Sequence, residues 1–226
     1  MSINVQKSKS LGLISIFLLS LFVTMVSTVP VVTAVNETTS GTITGTETWT
    51  GIMNLDGDVL VGGGAKLIIN AGTTINIPAD KNIQIQGSIC AGDSACGASQ
   101  ASTGSPVRFI WAAAAAPAPN QTGRCYITGV WNPDMACGSG IYLAETIDQS
   151  LTRMNHVTLD GAYGIPIDLD AQGTIKYGAM IFDGASLSVT NPTFKDINTT
   201  NVLAFNGASP TLDGGTFVVR IDGRGY

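Results

Sequence analysis

Three pairs of branched apolar residues recur at a fixed interval in this 226-residue chain: Leu67 and Ile69, Ile75 and Ile77, Ile83 and Ile85. The two members of each pair are two residues apart, which places both side chains on one face of a strand. Successive pairs are eight residues apart, and the gaps hold Asn70-Ala71-Gly72 and Pro78-Ala79-Asp80, both turn compositions. The spacing excludes an amphipathic helix, whose apolar positions recur every three to four residues. It predicts three short strands and their turns within about 24 residues.

The C-terminal third repeats at almost the same length. Ile181-Phe182-Asp183-Gly184-Ala185-Ser186 matches Ala204-Phe205-Asn206-Gly207-Ala208-Ser209 at a shift of 23, and Thr193-Phe194 recurs as Thr216-Phe217. Six of the fourteen aligned positions are identical, enough to read the segment as a repeat. A unit of this size with more than one strand is the mark of a solenoid. Leucine-rich repeats share the length but need a Leu-rich consensus, and a β-sandwich has no such self-similarity. The reading is therefore an all-β parallel β-helix of about 23 residues per coil, in which Ile, Val, Leu and Phe stack inside and Gly, Asn and Asp make the corners.

Composition narrows the function. Charged residues are 12% of the chain, half the usual ~25%, and the net charge is −5. That balance argues against a nucleic-acid partner, which needs a basic face. The 44% apolar content supplies a core and argues against disorder.

Residues 1–34 read as a secretory signal. Lys7 and Lys9 precede the apolar run Leu11–Val26, and Val32-Thr33-Ala34 offers small residues at a cleavage point. An uncleaved membrane anchor is the alternative. Losing Lys7 and Lys9 with no acid takes the net charge from −5 to −7. Residues 35–60 are expected to form an N-terminal cap and lead-in. Residues 61–226 are expected to form the β-helix, with loop insertions at 90–140. The strand-like Phe217–Ile221 close to Tyr226 carries no cap signal, so the expectation is either a truncated β-helix that continues into further coils of the same polypeptide, or a stacked copy at that end.

Cys90, Cys96, Cys125 and Cys137 are even in number, and in an exported chain they read as disulfides. Neighbours in sequence would pair as Cys90–Cys96 and Cys125–Cys137, with the other two connectivities open. Zinc ligands usually lie closer together than these pairs. Asn36, Asn120 and Asn198 begin glycosylation sequons.

Several stretches carry a resemblance. Gly57-Asp58-Val59-Leu60-Val61 through Gly64-Ala65-Lys66-Leu67-Ile68-Ile69-Asn70-Ala71-Gly72-Thr73-Thr74-Ile75 is similar to the opening coil of exported right-handed parallel β-helix proteins of microbial cell surfaces. Pro106-Val107-Arg108-Phe109, Gly140-Ile141-Tyr142-Leu143, Asn155-His156-Val157-Thr158-Leu159 and Gly207-Ala208-Ser209-Pro210-Thr211-Leu212 resemble later strands and corners of the same group. The resemblance spans about residues 48–226 and implies a right-handed β-helix. It implies no single activity, because such scaffolds serve adhesins, surface layers and polysaccharide enzymes.

For an enzyme, the carboxylates Asp160, Asp168, Asp170 and Asp183 with Arg153 are the candidates. A polysaccharide lyase would use such a set to hold Ca2+ and abstract a proton. Against this, Asp160, Asp183, Asp213 and Asp222 all precede Gly, which is turn chemistry. Asp56-Gly57-Asp58 reads as an acidic turn. The single histidine, His156, reads as a residue of an alternating strand. No cofactor is implied, and Ca2+ is the one ion the carboxylates admit.

The function expected is that of a non-catalytic extracellular or cell-surface domain, structural or adhesive. Its partner would be a glycan or cell-envelope component. Trp111, Tyr126, Trp131 and Tyr142 are the aromatic candidates for stacking on sugar rings. A polysaccharide-degrading enzyme and a self-assembling filament or layer subunit are the alternatives.

Overall fold

The computed structural model describes residues 36–113, 126–127, 130–131, 138–168 and 175–219, all within the unit Ala34–Tyr226. Residues 1–35, Asn120, Cys125, Cys137 and Asp170 lie outside the described residues. The fold is all-β, with curled and mostly parallel sheets. In chain order the first strands are β1 (Asn36–Ile43), β2 (Thr46–Trp49), β3 (Ile52–Val61), β4 (Lys66–Ile69), β5 (Thr74–Ile77), β6 (Asn82–Ile85) and β7 (Ser88–Ala91). There follow β8 (Val107–Trp111), β9 (Tyr126–Ile127), β10 (Val130–Trp131), β11 (Gly140–Leu143), β12 (Arg153–Asn155), β13 (Val157–Asp160) and β14 (Ile165–Asp168). The last are β15 (Ile175–Asp183), β16 (Ser188–Thr190), β17 (Thr193–Ile197), β18 (Thr200–Phe205), β19 (Thr211–Asp213) and β20 (Thr216–Val219).

These strands sort into three parallel ladders. The first runs β2-β4-β7-β12-β16-β19. The second starts on Ile52–Asn54 of β3 and continues β5-β8-β13-β17-β20. The third starts on Val59–Val61 of β3 and continues β6-β11-β15-β18. The chain visits the ladders in rotation. Paired residues are 20 to 24 apart where no excursion intervenes, as in Thr46 with Lys66 and Val59 with Ile83. The eight-residue pitch is therefore one strand per ladder: β4, β5 and β6. β1 lies parallel along β3, with an irregularity between Thr39 and Gly41 opposite Asp56-Gly57-Asp58. That acidic triplet is not a turn but the stretch where β3 passes from the second ladder to the third.

Inward-facing residues align in columns. In the second ladder Met53, Ile75, Phe109, Leu159 and Phe194 follow one another in register. In the third, Val61, Ile85, Leu143 and Phe182 do the same. All nine are buried and belong to one apolar cluster with Leu67, Ile69, Ile89 and Met154 of the first ladder. Each fully buried side chain of this kind contributes roughly 1.5–3 kcal/mol. No rung can bury its own inward face alone, so the stacking of rungs makes the core.

The repeat at 181–217 is slightly uneven. Thr193 pairs with Thr216 at the 23-residue shift, but Phe182 pairs with Ala204 at 22. The lower rung absorbs the extra residue in the turn Phe205–Ala208, where Asn206 and Gly207 take φ of 53° and 78° and the Ala208 N–H donates to the Phe205 carbonyl at 3.1 Å. Two consecutive left-handed residues in Asn-Gly form the tight turn this dipeptide favours.

Two stretches break the pitch. The first leaves β7 and returns at β8. It holds a 3₁₀ turn, Ser94–Cys96, and the disulfide Cys90–Cys96. Lys66 Nζ donates to the Cys96 carbonyl at 2.7 Å, tying that excursion back to β4. The second, at 161–178, is irregular by sequence. In the structure β14 pairs antiparallel with the first half of β15, Ile165 opposite Gly178 and Asp168 opposite Ile175. Pro166 and the short, discontinuous apolar pattern hid this strand, which is buried against the outer face of the third ladder rather than within the core.

Candidate functional site

One corner recurs in every rung. Between the first and second ladders the chain passes through Gly51, Gly72, Gly92, His156, Asn191 and Gly214, with φ between 47° and 76°. Left-handed backbone suits Gly and is tolerated by Asn and His far better than by branched residues. His156 is therefore a corner residue, not part of an alternating strand. The corner is closed by backbone bonds between rungs. The His156 N–H donates to the Thr190 carbonyl at 2.9 Å, and the Val107 N–H donates to the His156 carbonyl at 3.0 Å.

Where non-glycine residues occupy the corner, their side chains line a groove. His156, Thr158, Asn191 and Thr193 form it with Thr103, Pro106 and Gly214, enclosing about 170 Å3. His156 Nδ1 lies 3.0 Å from Asn155 Oδ1, which orients the ring. Asn191 sits over Gly214, where a Cβ would overlap its Oδ1. The excursion after β7 supplies Thr103 and Pro106 as one wall.

The groove opens onto the outer face of the second ladder. Its first outward column is Ile52, Thr74, Arg108, Thr158 and Thr193 in register. The second is Asn54, Asn76, Ile110, Asp160 and Lys195, with Asn76 Nδ2 donating to Asn54 Oδ1 at 2.9 Å. These residues are exposed or half-buried. The outer face of the third ladder is different. Tyr142 and Ile181 are buried there with Ile165 and Ile167 of β14, and Leu203 and Phe205 pack against them.

The aromatic candidates are placed as follows. Trp111 is 3% exposed, lies near-parallel to Phe109 with 6.5 Å between ring centroids, and donates its Nε1–H to the Lys81 carbonyl at 2.8 Å. Tyr142 is 5% exposed and its hydroxyl donates to Asp183. Neither ring presents a face to a ligand. Tyr126 and Trp131 pair through their backbones in the antiparallel β9–β10 hairpin, and their side chains lie outside the described residues.

Among the described carboxylate candidates, Asp160 and Asp183 stand on different ladders. Asp160 is on the second ladder and accepts from Lys195 Nζ at 2.7 Å. The carboxylate holds the Lys195 ammonium above its ordinary pKa, by hydrogen bond first and by charge second. Asp183 ends β15 on the third ladder, buried at 2% exposure, and accepts from Tyr142 and from Asn206 Nδ2 at 2.6 Å. Asp168 ends β14, outside the three ladders. Arg153 is on the first ladder and its Nη1 donates to the carbonyls of Gln149 and Thr152 at 3.3 and 2.9 Å. Among the described residues no three His, Cys, Asp or Glu side chains group to hold a metal. Asp58 accepts from the Asn82 N–H at 2.9 Å, and burial pushes its carboxyl above the usual range despite that bond.

Compared with protein-family models, with curated proteins and with solved structures, the chain matches none. The corner residues are what sequence reasoning missed. The signal that locates them is their place: each lies one to three residues after a first-ladder strand, where Gly stands in four of the six rungs.

Proposed function

We propose that this chain is an exported, non-catalytic domain, structural or adhesive, built as a right-handed parallel β-helix of about 23 residues per coil. The three ladders are its successive faces. Its contact surface for an extracellular glycan or cell-envelope component is the outer face of the second ladder together with the corner groove. The observation that carries this reading is the register of Thr158 and Thr193 beside His156 and Asn191. Adjacent strands lie about 4.8 Å apart, so hydroxyl, amide and imidazole groups repeat along an open groove. A polyhydroxylated ligand matches such a row, because each buried donor or acceptor of the ligand needs a partner.

Contact through hydrogen-bonding side chains replaces the aromatic stacking expected from Trp111 and Tyr142. Of the carboxylates and arginine considered for an enzyme, Arg153, Asp160 and Asp183 stand on three different ladders, and Asp170 lies outside the described residues. The test is co-sedimentation of the purified chain with a panel of insoluble polysaccharides, with absorbance near 235 nm followed in the supernatant. Retention without product supports the reading. Product that disappears with a chelator returns the chain to the lyases, and absence of retention on every polysaccharide removes the adhesive role.

A further inference from the structure

We infer that the corner groove takes a saccharide residue bearing a carboxylate, flanked by neutral residues, with Arg108 as its countercharge. The inference rests on the glycan-contact reading and narrows its ligand class. The groove's volume of about 170 Å3 accommodates a single sugar ring rather than a chain. Among the described residues the side chains of Thr103, Thr158, Asn191 and Thr193 make no hydrogen bond, which leaves three hydroxyls and one amide for a ligand. With Asn155 Oδ1 accepting from His156 Nδ1, the His156 Nε2 atom is left as an acceptor for a sugar hydroxyl.

The charge pattern selects the ligand. Arg108 is the neighbour of Thr158 in the outward column of the second ladder, is exposed, and has no ion-pair partner among the described residues. A guanidinium recognises a carboxylate through two parallel hydrogen bonds. In the next column Lys195 pairs with Asp160 at 2.7 Å and lies 3.6 Å from Asp196, so that cluster keeps a net negative charge. Asp213 stands across the corner, beside the Gly214 end of the groove. Arg108 thus sits one register position beyond Thr158, outside the groove lining, with Asp213 next to Gly214 at the opposite side. A chain of uniformly acidic residues would meet Asp213, whereas one acidic residue at the Arg108 end meets only its complement.

The probes are xylotetraose and xylotetraose carrying a single glucuronic acid, titrated calorimetrically into the full chain at low salt. The acidic tetraose should bind about tenfold or more tighter than the neutral one, and the difference should shrink as salt rises. Arg108→Gln should abolish the difference between the two ligands. Thr158→Val, which keeps the side-chain shape, and His156→Asn, which keeps a residue suited to the corner, should weaken both ligands. Equal binding of the two ligands, or an acidic preference that survives Arg108→Gln, overturns the inference and leaves the glycan reading standing. Failure of both ligands together with failure on the polysaccharide panel overturns both; failure of both ligands with retention on that panel overturns the inference alone.

Discussion

His156 and Asn191 occupy the same corner of two successive rungs, with φ of 47° and 49°, and both line a groove that opens onto the second ladder. Glycine fills this corner in the rungs above and below. The two residues therefore carry a backbone strain that glycine would not, at a place where their side chains line the groove.

That strain sets the first prediction. His156→Asn should leave stability within ~0.5 kcal/mol, because Asn also tolerates left-handed backbone. His156→Val should cost about 1–2 kcal/mol or more, since a branched Cβ meets the preceding carbonyl there. Urea midpoints of the two variants check this. Equal midpoints for Val and Asn would mean the corner is not left-handed in solution.

Phe109 supplies the second. It is fully buried between Ile75 and Leu159 in the inward column of the second ladder. Phe109→Ala should destabilise by roughly 3–5 kcal/mol through lost transfer energy and a residual cavity. Arg108→Ala, one residue away but outward, should change the denaturation midpoint little. A similar loss for both would contradict the alternation of β8.

A pH effect follows from Asp58. Burial raises its carboxyl above the unfolded value, so the fold binds this proton more tightly than the unfolded chain does. Its favourable contribution is complete below the unfolded value of about 3.9 and is lost as pH rises through the folded one. Asp58→Asn keeps an oxygen to accept from the Asn82 N–H and carries no charge. At pH 7 the variant should be at least as stable as the native chain, and its advantage should fall as pH drops toward 4. A variant advantage that grows as the pH falls would contradict the raised pKa.

The disulfide gives the last. Cys90–Cys96 closes a loop of six-residue separation, for which chain entropy gives about 2 kcal/mol. Cys90→Ala with Cys96→Ala should lower stability by at least that amount, because Cys90 is also fully buried. Limited proteolysis should then cut between residues 92 and 106 before the ladders. First cleavage within the ladders would show that the disulfide does not hold this excursion.

Much of the fold was legible from periodicity. Leu67 with Ile69, Ile75 with Ile77 and Ile83 with Ile85 stand buried on β4, β5 and β6, as their spacing requires. The same logic failed at 161–178, because β14 is buried against Tyr142 and Ile181 on the outside of another ladder. A strand's own pattern does not report which outer face of the sheets it will cover. The aromatic candidates failed for a related reason. Trp111 and Tyr142 are amphipathic, and their polar atoms found partners inside, at Lys81 and Asp183.

Local chemistry alone determined the strand content, the alternation of inward and outward residues and the near-23-residue rung, because these depend on side-chain period and turn propensity. Tertiary structure decided which outward residues share a column, that His156 is a corner, that Asp160 and Asp183 stand on different ladders and that one face is covered by β14. Those properties depend on the register between rungs. Excursions separate paired residues by up to 63 positions, as in Cys90 with Arg153. Backbone pairing across such distances is fixed only when the apolar columns of all three ladders are buried together.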